Sequence, residues 1–180
     1  MTPLLLTSFC PWKAHQSANS SDQLLELMQH QNLLPAGVIL LRRLPVHRQL
    51  APMTVMMRML EVQPAIVVCC GMAERRERLS LERIGKRGDR RLTTPLDLDA
   101  LIIGTTMTEI STDAGDYVCN DLYYTLLNQV ERDRWRACPL FVHVPLLTAA
   151  NALALSADFQ WVINRLWQIA AAQGTPQLYN

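Results

Sequence analysis

The sequence has none of the long hydrophobic runs, and none of the charge imbalance, that mark membrane-spanning or nucleic-acid-binding proteins. The longest apolar stretch in the middle of the chain, residues 65–73, is at most half of the ~20 residues that a transmembrane helix needs. The first nine residues have no positively charged start and only three consecutive leucines, so no secretory signal is predicted. Seventeen Lys and Arg against sixteen Asp and Glu leave a formal net charge of +1. This balance gives no reason to expect nucleic acid or an anionic membrane as a partner.

Disulfide and metal-binding patterns are missing as well. The five cysteines are an odd number, the neighbours Cys69 and Cys70 cannot easily bridge, and no CxxC pair occurs. Four scattered histidines give no zinc spacing. A chain of 180 residues buries roughly 70% of its unfolded surface and needs no such staple. We therefore expect one domain over residues 1–180, reduced, cytoplasmic and metal-free.

Apolar segments alternate with helical patterns along the chain. Strands are predicted at residues 4–9, 37–41, 65–70, 108–112 and 140–144, and helices from Ser20 or Ser21 and over residues 53–62, 95–103, 117–130 and 156–172. Because the strands are apolar throughout, both faces of their sheet should be covered by helices. The predicted fold is a three-layer α/β/α sandwich around a largely parallel mixed sheet. Met53, Met56, Met57 and Leu60 repeat at helical spacing and are predicted to fill the core.

Chemistry in such a sheet is expected beyond the carboxyl ends of the strands. Cys119 would lie in the first turn of the helix that follows the 108–112 strand. The free N–H groups and the positive end of that helix would favour a thiolate and could receive an oxyanion. The competing interpretation is that Cys119 only fills space in the core, because free cysteines are among the most buried residues.

Two further residues could complete a reactive cluster with Cys119. His143 lies in the apolar strand Phe141–Val144 and could be the base for the thiol, or a core histidine bonded to a backbone carbonyl. Glu82 could orient the imidazole, although it follows a charge run that usually marks a solvated face. From residue types alone, both alternatives stay open for each of the two.

Residues 75–91 hold seven arginines and one lysine. Such a segment could bind phosphate or nucleic acid. Acidic residues in and beside it (Glu74, Glu77, Glu82 and Asp89) offset much of the charge, so a polar loop with surface ion pairs is the stronger prediction.

Four segments resemble motifs of one enzyme family. They are residues 6–12 (LTSFCPW, against TGFxPF), 80–84 (SLERI, against ER[IV]A), 113–120 (DAGDYVCN, against SNTAGxxxCN) and 141–145 (FVHVP, against FIHVP). They stand in the same order as in the family, and the 24-residue interval from Cys119 to His143 is typical of it. The chain therefore resembles the pyrrolidone carboxyl peptidases, also called pyroglutamyl peptidase I.

The resemblance implies a thiol protease that removes an N-terminal pyroglutamyl residue from peptides, without a cofactor and as a homo-oligomer. It implies Cys119 as nucleophile, His143 as acid and base, and Glu82 as the orienting carboxylate. Substrate contacts are implied for Phe9, Trp12 and Tyr117, with Val118 beside them. Arg90 or Arg91 is a further candidate for stabilising the oxyanion.

The sequence also departs from the family pattern. The interval from Glu82 to Cys119 is 37 residues, shorter than is usual in the family, and Trp12 replaces a phenylalanine. The shortened segment would otherwise help to wall the substrate pocket. A catalytically altered or inactive member with a binding or structural role is therefore the alternative function.

Overall fold

The computed structural model describes residues 4–13 and 16–173, and within these ranges it has eight strands and five helices. In chain order the elements are β1 (Leu4–Phe9), α1 (Ser20–His30), β2 (Val38–Leu44), α2 (Leu50–Val62), β3 (Ile66–Met72), β4 (Leu79–Glu82), β5 (Ile84–Arg87), β6 (Arg90–Thr93), α3 (Leu98–Ile102), β7 (Thr108–Ser111), α4 (Val118–Asp133), β8 (Cys138–Val144) and α5 (Ala152–Gln173).

Six strands form one mixed sheet in the order β2-β1-β3-β8-β4-β7. All neighbours in it are parallel except β4, which runs antiparallel to β8 and parallel to β7. The short strands β5 and β6 form a separate antiparallel hairpin. This architecture confirms the predicted fold class, and β3 takes the central position expected of a fully apolar strand.

The sheet has a hydrophobic core on each face. One core contains side chains of α1, α3 and α5, such as Leu24 and Phe159, and the other contains side chains of α2 and α4, such as Val55 and Leu122. Among the described residues no helix is both long and apolar enough to cross a membrane. All five cysteines are free thiols.

The core prediction for α2 holds only for Met56, which is half-buried and packs against the core, and is wrong for the other three residues. Met53, Met57 and Leu60 are 56%, 60% and 55% exposed, whereas Ala51 and Val55 on the neighbouring stripe are buried. The helix is apolar on both stripes, so helical spacing could not decide which of them faces the sheet. The stripe that faces the sheet contains Ala51, Val55 and Met59.

The arginine-rich segment is not the plain polar loop that was predicted. Residues 79–82 form β4, which lies between β8 and β7 in the main sheet, and the β5–β6 hairpin follows. Strand β4 has only four residues and is flanked by charged side chains, so it contains no apolar run from which a strand could be predicted. Its position carries Glu82 into the interior.

Candidate active site

Cys119 and His143 are both neighbours of Gly71. Gly71 of β3 is in register with His143 of the neighbouring strand β8. A Cβ built on Gly71 would lie 2.8 Å from Cys119 Sγ, so the thiol rests directly on the glycine backbone. Because adjacent strands are ~4.8 Å apart, the sulfur lies above the sheet next to the residue that carries the imidazole.

Glu82 and His143 are in direct contact. Glu82 Oε1 lies 2.7 Å from His143 Nδ1, and the two side chains are 0% and 7% exposed. Their strands pair antiparallel, with Ser80 opposite His143, which places Glu82 two residues along the same face. An ionised carboxylate can only accept hydrogen bonds, so with Glu82 ionised the hydrogen would be on Nδ1 and Nε2 would be an acceptor.

The contact partner of Glu82 that sequence reasoning missed is Arg76. Its Nη1 lies 2.7 Å from Glu82 Oε1, and its Nη2 donates to the Asp113 carbonyl at 2.8 Å. Arg76 lies six residues before Glu82, in the turn between β3 and β4. In the sequence it is one of seven arginines in a charged segment, and only the path of β4 shows that this arginine turns inward.

Cys119 is the second residue of α4, as predicted, but its thiol is not favoured as a thiolate. Burial, and then the negative charge of Glu82, raise the pKa of the Cys119 thiol to about 12. Within the described part of the chain, no hydrogen bond joins Sγ to the His143 ring. In this structure a protonated thiol therefore stands beside the imidazole, and the helix end does not outweigh burial.

An open cavity of about 340 Å³ reaches Cys119 and His143 from the surface. It is lined by all four residues implied as substrate contacts: Phe9, Trp12, Tyr117 and Val118. Phe9 and Val118 are buried at its wall, whereas Trp12 and Tyr117 are 48% and 43% exposed at its mouth. The rings of Trp12 and Tyr117 pack at a centroid distance of 4.9 Å, so the mouth has an aromatic edge.

The structure does not bring Arg90 or Arg91 to this cavity. Both lie on β6 and are exposed, and neither lines the cavity. Arg90 pairs with Glu131 at 2.6 Å, near the far end of α4 from Cys119. The β5–β6 hairpin turns these side chains away from the carboxyl ends of the main strands.

Main-chain donors are available instead at the start of α4. The helix begins at Val118, and its N-cap residue Tyr117 makes no side-chain capping bond. The N–H groups of a first helical turn have no partner within the helix, so those at Val118 and Cys119 are suited to an anionic oxygen. Over residues 4–13 and 16–173, no cluster of three His, Cys, Asp or Glu side chains is arranged to hold a metal ion.

Comparison with known sequences gives one consistent group of relatives. The chain is 31% identical to a pyrrolidone-carboxylate peptidase of Deinococcus radiodurans, over 88% of this chain and 84% of the relative. It is 25% identical to pyrrolidone-carboxylate peptidase 1 of Caldanaerobacter subterraneus, over 80% of this chain and 82% of the relative. No model of a protein family matches the chain.

Solved structures agree on the fold. Pyroglutamyl peptidase I of Bacillus amyloliquefaciens superposes with a TM-score of 0.79 at 19% identity, covering 96% of this chain and 98% of the other. Pyrrolidone carboxyl peptidase of Thermococcus litoralis gives a TM-score of 0.76 at 18% identity, covering 100% and 99%. The mixed sheet with helices on both sides is thus the fold of these structures.

Proposed function

The chain belongs to the pyrrolidone-carboxylate peptidase family, and from that premise we propose that it hydrolyses the amide bond after an N-terminal pyroglutamyl residue of peptides. Cys119, His143 and Glu82 are the proposed triad. The observation that carries the proposal is the 2.7 Å contact of Glu82 with His143 Nδ1 at the base of a cavity that also exposes Cys119.

The reaction starts from a protonated thiol and a neutral imidazole. His143 Nε2 takes the thiol proton as Cys119 Sγ attacks the pyroglutamyl carbonyl carbon. The developing oxyanion accepts hydrogen bonds from the N–H groups at the start of α4. The imidazolium then gives its proton to the leaving amine, and the carbon–nitrogen bond breaks to leave a thioester on Cys119.

The second half of the reaction releases the acid. His143 Nε2 takes a proton from water, whose oxygen attacks the thioester carbonyl. Collapse of this intermediate expels the thiol sulfur, which regains its proton from the imidazolium. Glu82 stabilises the imidazolium in both halves and keeps the ring in the orientation that faces the cavity.

Substrate selection rests on the shape of the cavity. Pyroglutamate is small, flat and uncharged, so aromatic faces and a few backbone hydrogen bonds are enough to hold it. Phe9 at the wall and the packed pair Trp12 and Tyr117 at the mouth supply those faces. A peptide with this blocked N-terminus is the partner that we propose.

The test compares the wild-type protein with Cys119→Ala on a fluorogenic pyroglutamyl amide, with Cys138→Ala as the matched cysteine control. Cys138 lies at the start of β8, at the opposite end of that strand from His143. We expect release of the fluorophore by the wild type and Cys138→Ala, and none by Cys119→Ala. Absence of turnover by a folded wild type whose Cys119 reacts with iodoacetamide would refute the proposal.

The alternative function, binding without catalysis, is favoured by the raised pKa of the Cys119 thiol and by the short interval from Glu82 to Cys119. It predicts that a pyroglutamyl peptide binds to the wild type and is recovered intact. Calorimetry with that peptide, followed by mass spectrometry of the mixture, separates the two functions.

A further inference from the structure

A charged side chain that the proposed mechanism does not use lies against the carboxylate of the triad. Arg76 Nη1 is 2.7 Å from Glu82 Oε1, the same oxygen that contacts His143 Nδ1. Arg76 Nη2 donates to the Asp113 carbonyl at 2.8 Å and to Ser111 Oγ at 3.3 Å. One guanidinium thus connects the turn after β3 with the carboxylate and with the loop that leads into α4.

Arg76 is the cation next to the Glu82 carboxylate. The carboxylate is fully buried, and among the described residues neither its Oε2 nor Arg76 Nη1 makes a hydrogen bond, so Arg76 contacts Oε1 as an ion pair. A buried carboxylate with so few donors binds a proton unless a cation lies beside it. His143 cannot be that cation in the resting enzyme, because it must be neutral to act as a base.

Among the described residues, no cationic side chain other than Arg76 and His143 lies within 4.0 Å of the Glu82 carboxylate. From α4, Cys119 faces it as a protonated thiol, and Tyr123 donates its hydroxyl to the Glu82 backbone carbonyl at 2.7 Å. From β7, Ser111 is uncharged, and Glu109 is an exposed carboxylate that accepts from Ser80 Oγ at 2.9 Å. Arg76 is the permanent positive charge that the structure places against Glu82.

We infer that Arg76 is a positioning residue, acting on His143 through Glu82; the inference rests on the proposed triad. With Arg76 in place Glu82 is ionised, accepts from Nδ1–H, and leaves Nε2 free to take the thiol proton. Without the guanidinium Glu82 keeps a proton, and its O–H donates a hydrogen bond to Nδ1. The ring hydrogen then moves to Nε2, and the base that activates Cys119 is lost.

The decisive experiment reads the His143 tautomer directly, by ¹⁵N NMR of imidazole-labelled wild type and Arg76→Gln between pH 6 and 9. We expect Nδ1–H in the wild type and predominantly Nε2–H in Arg76→Gln. A variant that is less stable but keeps Nδ1–H like the wild type would overturn the inference and leave Arg76 a structural ion pair. Arg78→Gln is the matched control, because Arg78 is in the same turn but bonds the Thr106 carbonyl, outside the cavity.

Kinetics add a second readout. We expect Arg76→Gln to lower kcat on a pyroglutamyl amide by about 10²-fold or more with little change in KM, since a wrong imidazole tautomer impairs chemistry and not binding. Arg76→Lys should keep Nδ1–H and lose only several-fold in kcat, so it tests the inference even if Arg76→Gln does not fold.

The two proposals fail in distinguishable ways. A wild type that shows Nδ1–H and no turnover refutes the peptidase function but leaves the Arg76 effect on the tautomer measurable. A wild type that turns over, with unchanged kcat in both Arg76 variants, refutes the role of Arg76 alone.

Discussion

Gly71 lies directly beneath the thiol of Cys119. The backbone of β3 can approach the start of α4 this closely only because residue 71 has no side chain: a Cβ there would stand 2.8 Å from Sγ and 2.7 Å from Phe141 Cζ. Phe141 in turn packs on the His143 ring, with centroids 4.9 Å apart. The glycine therefore allows the sulfur to lie close to the sheet, on the face that carries the His143 ring.

Replacement of Gly71 with alanine should disturb both stability and activity. We expect a loss of about 1–3 kcal/mol in the free energy of unfolding, because the added methyl group overpacks a rigid site. Urea unfolding measures it. In the Cys119→Ala background the loss should be smaller by at least ~0.5 kcal/mol, since the sulfur that the methyl group meets is gone. Fully additive effects of the two substitutions would contradict the contact between Gly71 and the thiol.

The parts of the site that local patterns determine could be predicted, and the parts that depend on strand order could not. Cys119 and His143 lie where an apolar strand ends or a helix begins, and those boundaries are readable from the sequence. The family resemblance names Glu82 as a candidate, but its burial and the approach of Arg76 depend on a four-residue strand that pairs with β8 and β7, which no local pattern shows. The candidates Arg90 and Arg91 are exposed for the same reason, because the hairpin after β4 leaves the sheet.

Trp12 is the residue whose loss should affect binding most selectively. It is 48% exposed at the mouth of the cavity and packs on Tyr117, so Trp12→Ala removes an aromatic face without opening the core. We expect KM for a pyroglutamyl amide to rise about 10-fold, which corresponds to ~1.4 kcal/mol of lost aromatic contact, with a smaller change in kcat.

Trp161→Ala is the control for this prediction. Trp161 is 46% exposed on α5, and its indole N–H donates to the Ile103 carbonyl, away from the cavity. Its replacement should leave KM unchanged. An equal rise in KM in both variants would show that Trp12 has no specific role in binding.

The Cys119 thiol should react slowly with iodoacetamide near neutral pH. Burial and the charge of Glu82 raise its pKa to about 12, so roughly 10⁻⁴ of it is thiolate at pH 8, far less than for a free cysteine. The alkylation rate should rise close to tenfold per pH unit from pH 8 to 10, measured by mass spectrometry of the Cys119 peptide. Cys69, which is fully buried, should stay unlabelled if the fold is intact. A rate that is already at its plateau below pH 8 would indicate a preformed thiolate–imidazolium pair.

Asp22 joins three elements of the sheet edge and should make the fold sensitive to acid. It is 5% exposed and accepts from Ser8 Oγ at 2.7 Å and from Arg42 Nε at 2.8 Å. Burial alone would raise the pKa of Asp22, but the hydrogen bonds from Arg42 and Ser8 outweigh it and hold the pKa below the usual 3.8. A carboxyl whose pKa is lowered by folding stabilises the folded state at pH values above its pKa in the unfolded chain. This stabilisation is lost as the pH falls through the pKa of the carboxyl in the folded state.

Asp22→Asn should therefore cost about 2 kcal/mol in the free energy of unfolding at pH 7, because the half-buried Arg42 loses its charged partner. The difference in the free energy of unfolding between variant and wild type should be smaller at pH 3, because protonation of Asp22 removes part of the same stabilisation from the wild type. Glu26→Gln is the matched control: Glu26 also pairs with Arg42, at 3.2 Å, but its side chain is 53% exposed, so its loss should stay within about 0.5 kcal/mol. Urea unfolding of the three proteins at both pH values tests this prediction. If Asp22→Asn lowers the free energy of unfolding by the same amount at pH 3 and pH 7, the charge of Asp22 does not stabilise the fold.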